Sequence, residues 1–273
     1  MNLKQNALAR IALLTLAAGS LGSTALMAGT LDKTPSPVTE APEEPFVTGN
    51  LTALVQTHFI SYGGDGWGIG NSWKDALFHP SMELDFHLGG GFQAYINTWW
   101  DVNSLGVTNI GSEIQEIDVN AGFLYKSGDW NWKLGYGAWN YASQTQSVVD
   151  FKVSHADTLN PFFAIHGRVD DGFAAAKIPF ARGAVGQIGI APGCPLGPIT
   201  LSMPVTLSVE TKGYHGGDGG FAYASAGLTA TIPLTKHVSA IIGATYYHTD
   251  AAVIPYNPTE NFVMGTAGLT VVF

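Results

Sequence analysis

The segment HPSMELDFHL, residues 79–88, carries groups capable of acid–base chemistry at every second position. His79 could act as the base for a Ser81 nucleophile. Alternate residues of a strand lie about 6.5–7 Å apart, which does not by itself bring the two side chains into hydrogen-bond contact, and Pro80 separates them. We therefore predict no enzymatic site, and keep His79 and Ser81 as the fallback catalytic pair.

The same face of this segment continues with Glu83, Asp85 and His87. Two carboxylates and an imidazole could bind a divalent ion if a facing strand supplied a further ligand, such as Asp118 or Glu116. Charges on the inner wall of any barrel would give the same pattern without a metal. We therefore predict no metal site and no cofactor.

The residues between these polar groups are apolar, which is the alternation of a strand with two different faces. About twelve such segments follow one another over residues 47–273, and no useful helical periodicity appears. The connections between them alternate between long and short, with two exceptions. Connection 170–172 should be long and is short, and 191–198 should be short and is long. The count is therefore ambiguous over 173–198, and ten or fourteen strands remain open.

The N-terminal part of the sequence has a different composition. Lys4 and Arg10 form a basic region before an apolar run over residues 11–18, and small residues up to Ala25 or Ala28 form alternative cleavage sites. These features predict a secretory signal peptide over residues 1–28. Residues 29–46 are rich in proline and acidic residues and predict a disordered periplasmic tail. The formal net charge of −9 argues against nucleic acid as a partner.

Alternation alone fits both a soluble β-sandwich and an outer-membrane barrel. Charged residues make up 12% of the chain, against about 25% in soluble domains, and the polar faces contain little lysine. Aromatic residues gather near the strand ends, as interfacial girdles do. The predicted girdle residues are Trp99, Trp100, Trp139, Tyr141, Tyr246 and Tyr247 towards the long connections, and Phe92, Trp130 and Trp132 towards the short ones. We predict an all-β fold, an antiparallel up-and-down transmembrane β-barrel of about twelve strands over 47–273.

The last ten residues, MGTAGLTVVF, place apolar side chains at alternate positions before a final phenylalanine. This segment resembles the C-terminal strand of bacterial outer-membrane β-barrel proteins, which the barrel-insertion machinery recognises in that class. The resemblance implies that Leu269, Val271 and Phe273 form the assembly signal. It also implies that the protein is located in the bacterial outer membrane.

A second resemblance covers residues 47 to about 170. The strand GFQAYINTWWDVN is followed by EIDVNAGFLYKSGDWNWKLGYGAWNY. This layout is similar to that of a proteobacterial family of conserved hypothetical proteins grouped with porins. The Arg-Gly pair usual near that family's first strand is replaced here by residues 58–61, HFIS.

These observations predict a small porin-like passive channel whose acidic lumen favours cations. The predicted pore-lining residues are Ser81, Glu83, Asp85, His87, Gln93, Asn97, Asp101, Glu116, Asp118 and Arg168, with Lys133 and Lys152 as further basic groups. The expected partners are outer-membrane lipid, the barrel-insertion machinery, and small hydrophilic solutes or cations. Two alternatives stay open. The first is a closed structural or adhesion barrel that acts through extracellular loops. The second is a membrane-embedded lipid hydrolase, whose family has similar His-x-Ser pairs.

Overall fold

A computed structural model describes residues 45–66, 72–105, 110–170 and 180–273. The predicted signal peptide, 1–28, and the predicted tail up to residue 44 lie outside the described residues. The first strand begins at Val47. No helix in the described parts of the chain is long and apolar enough to cross a membrane.

Sixteen strands and one short 3-10 helix make up the described secondary structure. The strands are β1 (Val47–Gln56), β2 (Ile60–Ser61), β3 (Gly64–Asp65), β4 (Leu77–Gly89), β5 (Phe92–Val102), β6 (Ile114–Ser127), β7 (Trp130–Asn140), β8 (Thr145–His155), β9 (Phe162–Arg168), β10 (Gly183–Ile190), β11 (Gly193–Leu196), β12 (Ile199–Ser202), β13 (Val205–Glu210), β14 (Gly220–Pro233), β15 (Val238–Thr249) and β16 (Asn261–Val272). The helix is η1 (Trp73–Asp75).

Within the described residues, twelve of these strands form a closed antiparallel barrel. The order is β1, β4 to β10, β13, β14, β15 and β16, and β16 returns to β1. The closing pair aligns Asn50 with Val272 and Gln56 with Thr266. The prediction of an all-β antiparallel barrel of about twelve strands is therefore confirmed. The two-stranded β2–β3 hairpin lies outside the ring of strands.

The two exceptional connections are placed differently from the prediction. β9 ends at Arg168 and β10 begins at Gly183, so this connection is long, and the predicted strand over 173–190 starts too early. Part of that segment, 171–179, lies outside the described residues. On the other side, β11 and β12 pair as a hairpin whose Cys194 faces Leu201, so the segment 191–198 is not a loop. Its three prolines suggested a loop, although proline is tolerated at strand ends and bulges.

The outward side chains of the barrel wall are apolar, and many of them are large. They include Leu51, Val55, Phe92, Ile96, Trp100, Phe123, Leu134, Tyr136, Ile165, Leu207, Leu228, Ile242, Val263 and Leu269. A continuous exposed apolar surface of this kind requires a nonaqueous environment, which a lipid bilayer provides to a closed barrel.

The aromatic girdles are only partly as predicted. Phe92, Trp130 and Trp132 are exposed near the short turns, as are Trp100 and Tyr246 at the opposite end. Trp139 and Tyr247 are instead buried, at 5% and 4% exposure. Neighbouring strand residues point to opposite faces, so Tyr246 and Tyr247 cannot both face lipid. The prediction that Trp99, Trp139, Tyr141 and Tyr247 belong to the girdle is wrong. All four lie on the inner side, where Trp99 contacts His79 and Tyr141 donates to Glu116.

Three connecting segments at the long-loop end turn into the barrel. The first contains β2 and β3, the second spans residues 211–219, and the third spans 250–260. An apolar cluster forms where the third segment meets the strands, and Ile60 of the first segment packs against it. Its buried members are Ala222, Tyr223, Tyr247, Val253, Ile254, Phe262 and Met264. These contacts narrow the barrel at that end.

Candidate functional site

Charged side chains are concentrated on the inner face of β4 to β9, which we call the charged wall. Its members are His79, Glu83, Asp85, Asp101, Glu116, Asp118, Lys133, Asp150, Lys152, His166 and Arg168. They occupy alternate strand positions, because each strand directs every second residue inwards. Among all described residues, seven carboxylate side chains are buried, and only two lysine or arginine side chains are. The buried charge of the molecule is therefore predominantly acidic.

The inner face of β10, β13 to β16 and β1 is different, and we call it the hydroxyl wall. Its inward positions are rich in threonine and serine, namely Thr52, Thr206, Ser208, Ser225, Thr229, Thr231, Thr245, Thr266 and Thr270. Thr52 and Thr270 share a hydrogen bond of 2.9 Å across the closing strand pair. Among the described residues of these strands, Glu210 is the one buried carboxylate.

The middle of the charged wall contains an ion pair and two further carboxylate oxygens. Lys133 Nζ lies 3.4 Å from Glu83 Oε2 and 4.0 Å from the centre of the Tyr95 ring. Asp85 Oδ1 and Glu83 Oε1 have no hydrogen-bond partner among the described residues. One lysine therefore faces two carboxylates, which leaves a local excess of negative charge when both are ionised.

His79 is fixed by two hydrogen bonds that do not involve Ser81. Its Nδ1 lies 2.7 Å from Gln56 Oε1, and its Nε2 lies 3.1 Å from Asp101 Oδ1. Both ring nitrogens are thus engaged, so His79 is not positioned to take a proton from Ser81. The fallback catalytic pair is not assembled in this arrangement.

The remaining predicted pore-lining residues occupy several levels of the same wall. Asn97 is buried and donates to the Met82 carbonyl oxygen. Ser81, His87 and Gln93 are half-buried. His87 Nδ1 lies 3.1 Å from Gln93 Nε2. Among the described residues, no group of three His, Cys, Asp or Glu side chains is arranged to hold a metal ion, and this includes Glu83, Asp85 and His87.

Tyr62 connects the first inward segment to the charged wall. Its hydroxyl donates to Asp150 Oδ1 at 3.3 Å, and its ring stacks on His166 at a centroid distance of 4.1 Å. His166 Nδ1 lies 2.7 Å from the same Asp150 oxygen. Desolvation, reinforced by the negative charge of Asp150, raises the pKa of Tyr62 well above its usual value, so the phenol stays protonated as a donor.

Arg168 and Glu210 connect the second inward segment to the barrel. Arg168 donates to the Tyr214 carbonyl oxygen at 2.8 Å, and its guanidinium carbon lies 4.1 Å from the Tyr214 ring centre. His215 Nδ1 lies 2.6 Å from Glu210 Oε2. Burial lowers the pKa of His215, although the hydrogen bond and charge of Glu210 oppose this shift.

A cavity of about 60 Å³ lies between the first inward segment and the charged wall. It is lined by Gln56, Phe59, Ile60, Ser61, Tyr62, His79, Trp99, Glu116, Asp118, Trp139 and Met264. Sequence reasoning assigned Glu116 and Asp118 to the lumen but missed the aromatic part of this site. The sequence contained a signal for Trp139, because this residue and Lys133 both have odd numbers in the same strand and therefore point to the same face. The contribution of residues 59–62 had no comparable signal, because they belong to a connection.

The fold and site together define a class of protein. A closed antiparallel barrel with an apolar exterior, a polar interior, and long connections at one end is the architecture of bacterial outer-membrane β-barrels. By this architecture the chain is an outer-membrane β-barrel.

No protein-family model matches the sequence, and no curated protein matches it. Similar solved structures include the NanC porin, with 13% identity, a TM-score of 0.48, and coverage of 82% of this chain and 98% of that one. The KdgM porin has 11% identity, a TM-score of 0.46, and coverage of 83% and 99%. The translocator domain of the autotransporter NalP from Neisseria meningitidis has 11% identity, a TM-score of 0.44, and coverage of 84% and 89%. These likenesses assign no function to this chain, and its layout resemblance to the proteobacterial porin-like family stays a prediction.

Proposed function

We propose that the protein is a passive channel for small hydrophilic solutes that favours cations. The observation that carries this proposal is the acidic excess of the charged wall, where buried carboxylates outnumber buried basic side chains. Fixed charges in a narrow, low-dielectric passage attract ions of opposite sign and repel ions of the same sign. The hydroxyl wall opposite supplies neutral hydrogen-bonding groups that can solvate a passing solute.

The Glu83–Asp85 pair is the part of the charged wall that we propose to set selectivity. Lys133 can neutralise one of these carboxylates but not both, and it is held at Glu83 by the 3.4 Å contact. Asp85 is the more accessible of the two to a passing cation, because the ion pair with Lys133 is made by Glu83. A cation passing this level would therefore meet a net negative field.

Single-channel recording in a planar bilayer with a salt gradient tests the proposal. The Glu83→Gln and Asp85→Asn double variant should reduce the ratio of potassium to chloride permeability roughly twofold or more. The matched control is Asp129→Asn with Asp218→Asn, which removes the same charge from two exposed side chains. The control should keep the selectivity of the unaltered protein. An anion-selective unaltered channel would contradict the proposal.

A closed structural or adhesion barrel is the second candidate, and the inward segments favour it. The loops that contain Tyr62, Tyr214 and Ile254 turn into the barrel at the long-loop end. A correctly folded barrel, verified by heat-modifiable gel mobility, that shows no conductance would favour this candidate. Hydrolysis is not proposed, because His79 is hydrogen-bonded to Gln56 and Asp101.

Assembly through the C-terminal strand is a further proposal. Leu269, Val271 and Phe273 are exposed on the outer surface, where an insertion factor could bind them. Replacing Phe273 with Ala should lower the amount of folded protein in outer membranes while leaving refolding in pure lipid largely intact. A Val272→Ala variant, next to it in the chain, serves as the control.

A further inference from the structure

The cavity between the first inward segment and the charged wall contains three buried polar atoms without hydrogen-bond partners. Glu116 Oε2, Asp118 Oδ1 and Trp139 Nε1 have none among the described residues. All three residues line the cavity and are at least nine-tenths buried. Unsatisfied buried polar atoms are rare in folded proteins and indicate a missing partner. Two of these atoms are carboxylate acceptors, and the third is an indole donor.

The other walls of this cavity are aromatic. Phe59 stacks against Trp99 with ring centres 5.4 Å apart, and Tyr62 is nearly parallel to Trp139 at 6.3 Å. Aromatic faces attract cations, and carboxylates in a site shielded from water do so more strongly. Both features of the lining therefore favour a positively charged occupant.

The volume limits the size of this occupant. One water molecule needs roughly 10–15 Å³ of such space, so a cavity of about 60 Å³ holds a compact molecule of about four to six non-hydrogen atoms. A sugar or a peptide would extend beyond this space. The cavity fits a short amine.

We propose that this cavity binds a small ammonium cation that also carries an oxygen acceptor, the class of short amino alcohols. The ammonium group would donate to Glu116 Oε2 and Asp118 Oδ1, and the oxygen would accept from the Trp139 indole. The inference rests on the proposed cation preference of the lumen and names the class of cation. It adds a specific site at Glu116 and Asp118, separate from the selectivity pair.

The charged groups around the cavity support a cation over an anion or a zwitterion. Glu116 also accepts from the Tyr141 hydroxyl at 2.8 Å, and Asp118 interacts directly with Glu116. Arg168 acts on Glu116 but is itself bonded to the second inward segment. His79 faces Asp101. A ligand carboxylate would add a further negative charge to the Glu116–Asp118 pair, so amino acids should be excluded.

Four small probes of similar size separate the contributions. Isothermal titration calorimetry of the full folded protein in detergent would compare ethanolamine, propylamine, ethylene glycol and glycine at pH 7.5. Ethanolamine should bind most tightly. Propylamine lacks the acceptor oxygen and should bind about threefold to tenfold more weakly, the range expected for one hydrogen bond. Ethylene glycol and glycine should show no binding, because one lacks the charge and the other brings a carboxylate.

Three variants test the assigned contacts. Glu116→Gln and Asp118→Asn should each weaken ethanolamine binding at least about tenfold, the range for a hydrogen bond to a charged group. Trp139→Phe keeps an aromatic ring but removes the indole donor, so it should bring ethanolamine down to the affinity of propylamine. Asp129→Asn removes an exposed carboxylate outside the cavity lining and should leave ethanolamine binding unchanged.

The result that would overturn the inference is equal binding of ethanolamine and ethylene glycol, or no binding of either amine, by the unaltered protein. This comparison uses only the unaltered protein, so it tests the inference even if a substituted protein does not fold. The proposed channel fails separately, through absent or anion-selective conductance. Amine binding without conductance would support this site in a closed barrel, and cation-selective conductance without amine binding would overturn the site alone.

Discussion

The charged wall and the hydroxyl wall are built from the same kind of strand, yet they contact the interior in different ways. The charged wall contacts the inward segments through side chains, as in the Tyr62–Asp150–His166 group. The hydroxyl wall contacts them mainly through apolar side chains, such as Tyr223 and Tyr247, and is hydrogen-bonded within itself elsewhere, as between Thr52 and Thr270. The difference shows that one barrel can combine a wall of charged contacts and a wall of largely neutral contacts.

Electrostatics explains why the charges are grouped and not spread around the ring. A buried charge is tolerated only with nearby partners. Lys133 with Glu83, and His166 with Asp150, supply such partners from strands on the same side. Isolated charges on the hydroxyl wall would lack such partners. Glu210 is the exception, because it is paired with His215 of a connecting segment.

The largest expected effect is the loss of the ion pair on the charged wall. Lys133→Met leaves Glu83 as an unpaired buried carboxylate, which should lower the free energy of unfolding by about 3 kcal/mol. Urea unfolding of the protein in lipid vesicles measures this free energy. Lys126→Met, at an exposed position of β6, should change it by less than about 0.5 kcal/mol. Equal effects would show that the buried pair is no more important than a surface charge.

The second-largest expected effect is steric crowding by an added methyl group, which should destabilise the charged wall more than the hydroxyl wall. A methyl group added at Gly137 would overlap Asn120 Oδ1 and come within 2.8 Å of Val148, both on the charged wall. Gly137→Ala should therefore lower the free energy of unfolding by about 2 kcal/mol. At Gly227, on the hydroxyl wall, the nearest atom is Thr245 Oγ1 at 2.9 Å, and the hydroxyl can rotate away. Gly227→Ala should lower the free energy of unfolding by about half as much as Gly137→Ala. A larger loss for Gly227→Ala would contradict the expected difference between the two walls.

Neutral hydrogen bonds should contribute less. Thr270→Val keeps the shape of the side chain but removes the 2.9 Å hydrogen bond to Thr52 at the closing strand pair. The free energy of unfolding should fall by about 1 kcal/mol, measured under the same urea conditions. Thr48→Val, which removes the hydrogen bond to His87, provides a comparison at the junction with the charged wall. A loss above about 3 kcal/mol for Thr270→Val would exceed the range for a neutral pair.

The smallest effect should come from pH at the Glu210–His215 pair. Because burial lowers the folded-state pKa of His215 below its ordinary value of 6.5, its contribution to stability is complete above pH 6.5 and declines as the pH falls below it. Amide hydrogen exchange in residues 211–219 should therefore accelerate between pH 7.5 and 5.5, after correction for intrinsic rates. His215→Gln should remove most of this acceleration. An unchanged acceleration in the variant would assign it to another group.

Strand parity predicted more of this molecule than motif reading did. It placed Glu83, Asp85 and Asp118 on one face because strand geometry fixes side-chain direction, and all three are buried. The same rule applied to Trp139 would have placed it inside. Tyr62 could not be placed from sequence, since its position depends on a left-handed backbone conformation, φ 48°, and on contacts with distant strands. The proline-rich hairpin of β11 and β12 was missed because local turn propensity conflicts with its pairing.

The closing pair between β1 and β16 has a consequence for how the barrel forms. Gly49 and Phe273 exchange two backbone hydrogen bonds, of 2.9 and 3.0 Å, although more than two hundred residues separate them. Contacts between such distant residues form slowly, because a long chain must first be ordered. Until they form, both strands present unpaired edges that can pair with other chains. A delay at this one junction therefore lengthens the time during which a newly made chain can aggregate.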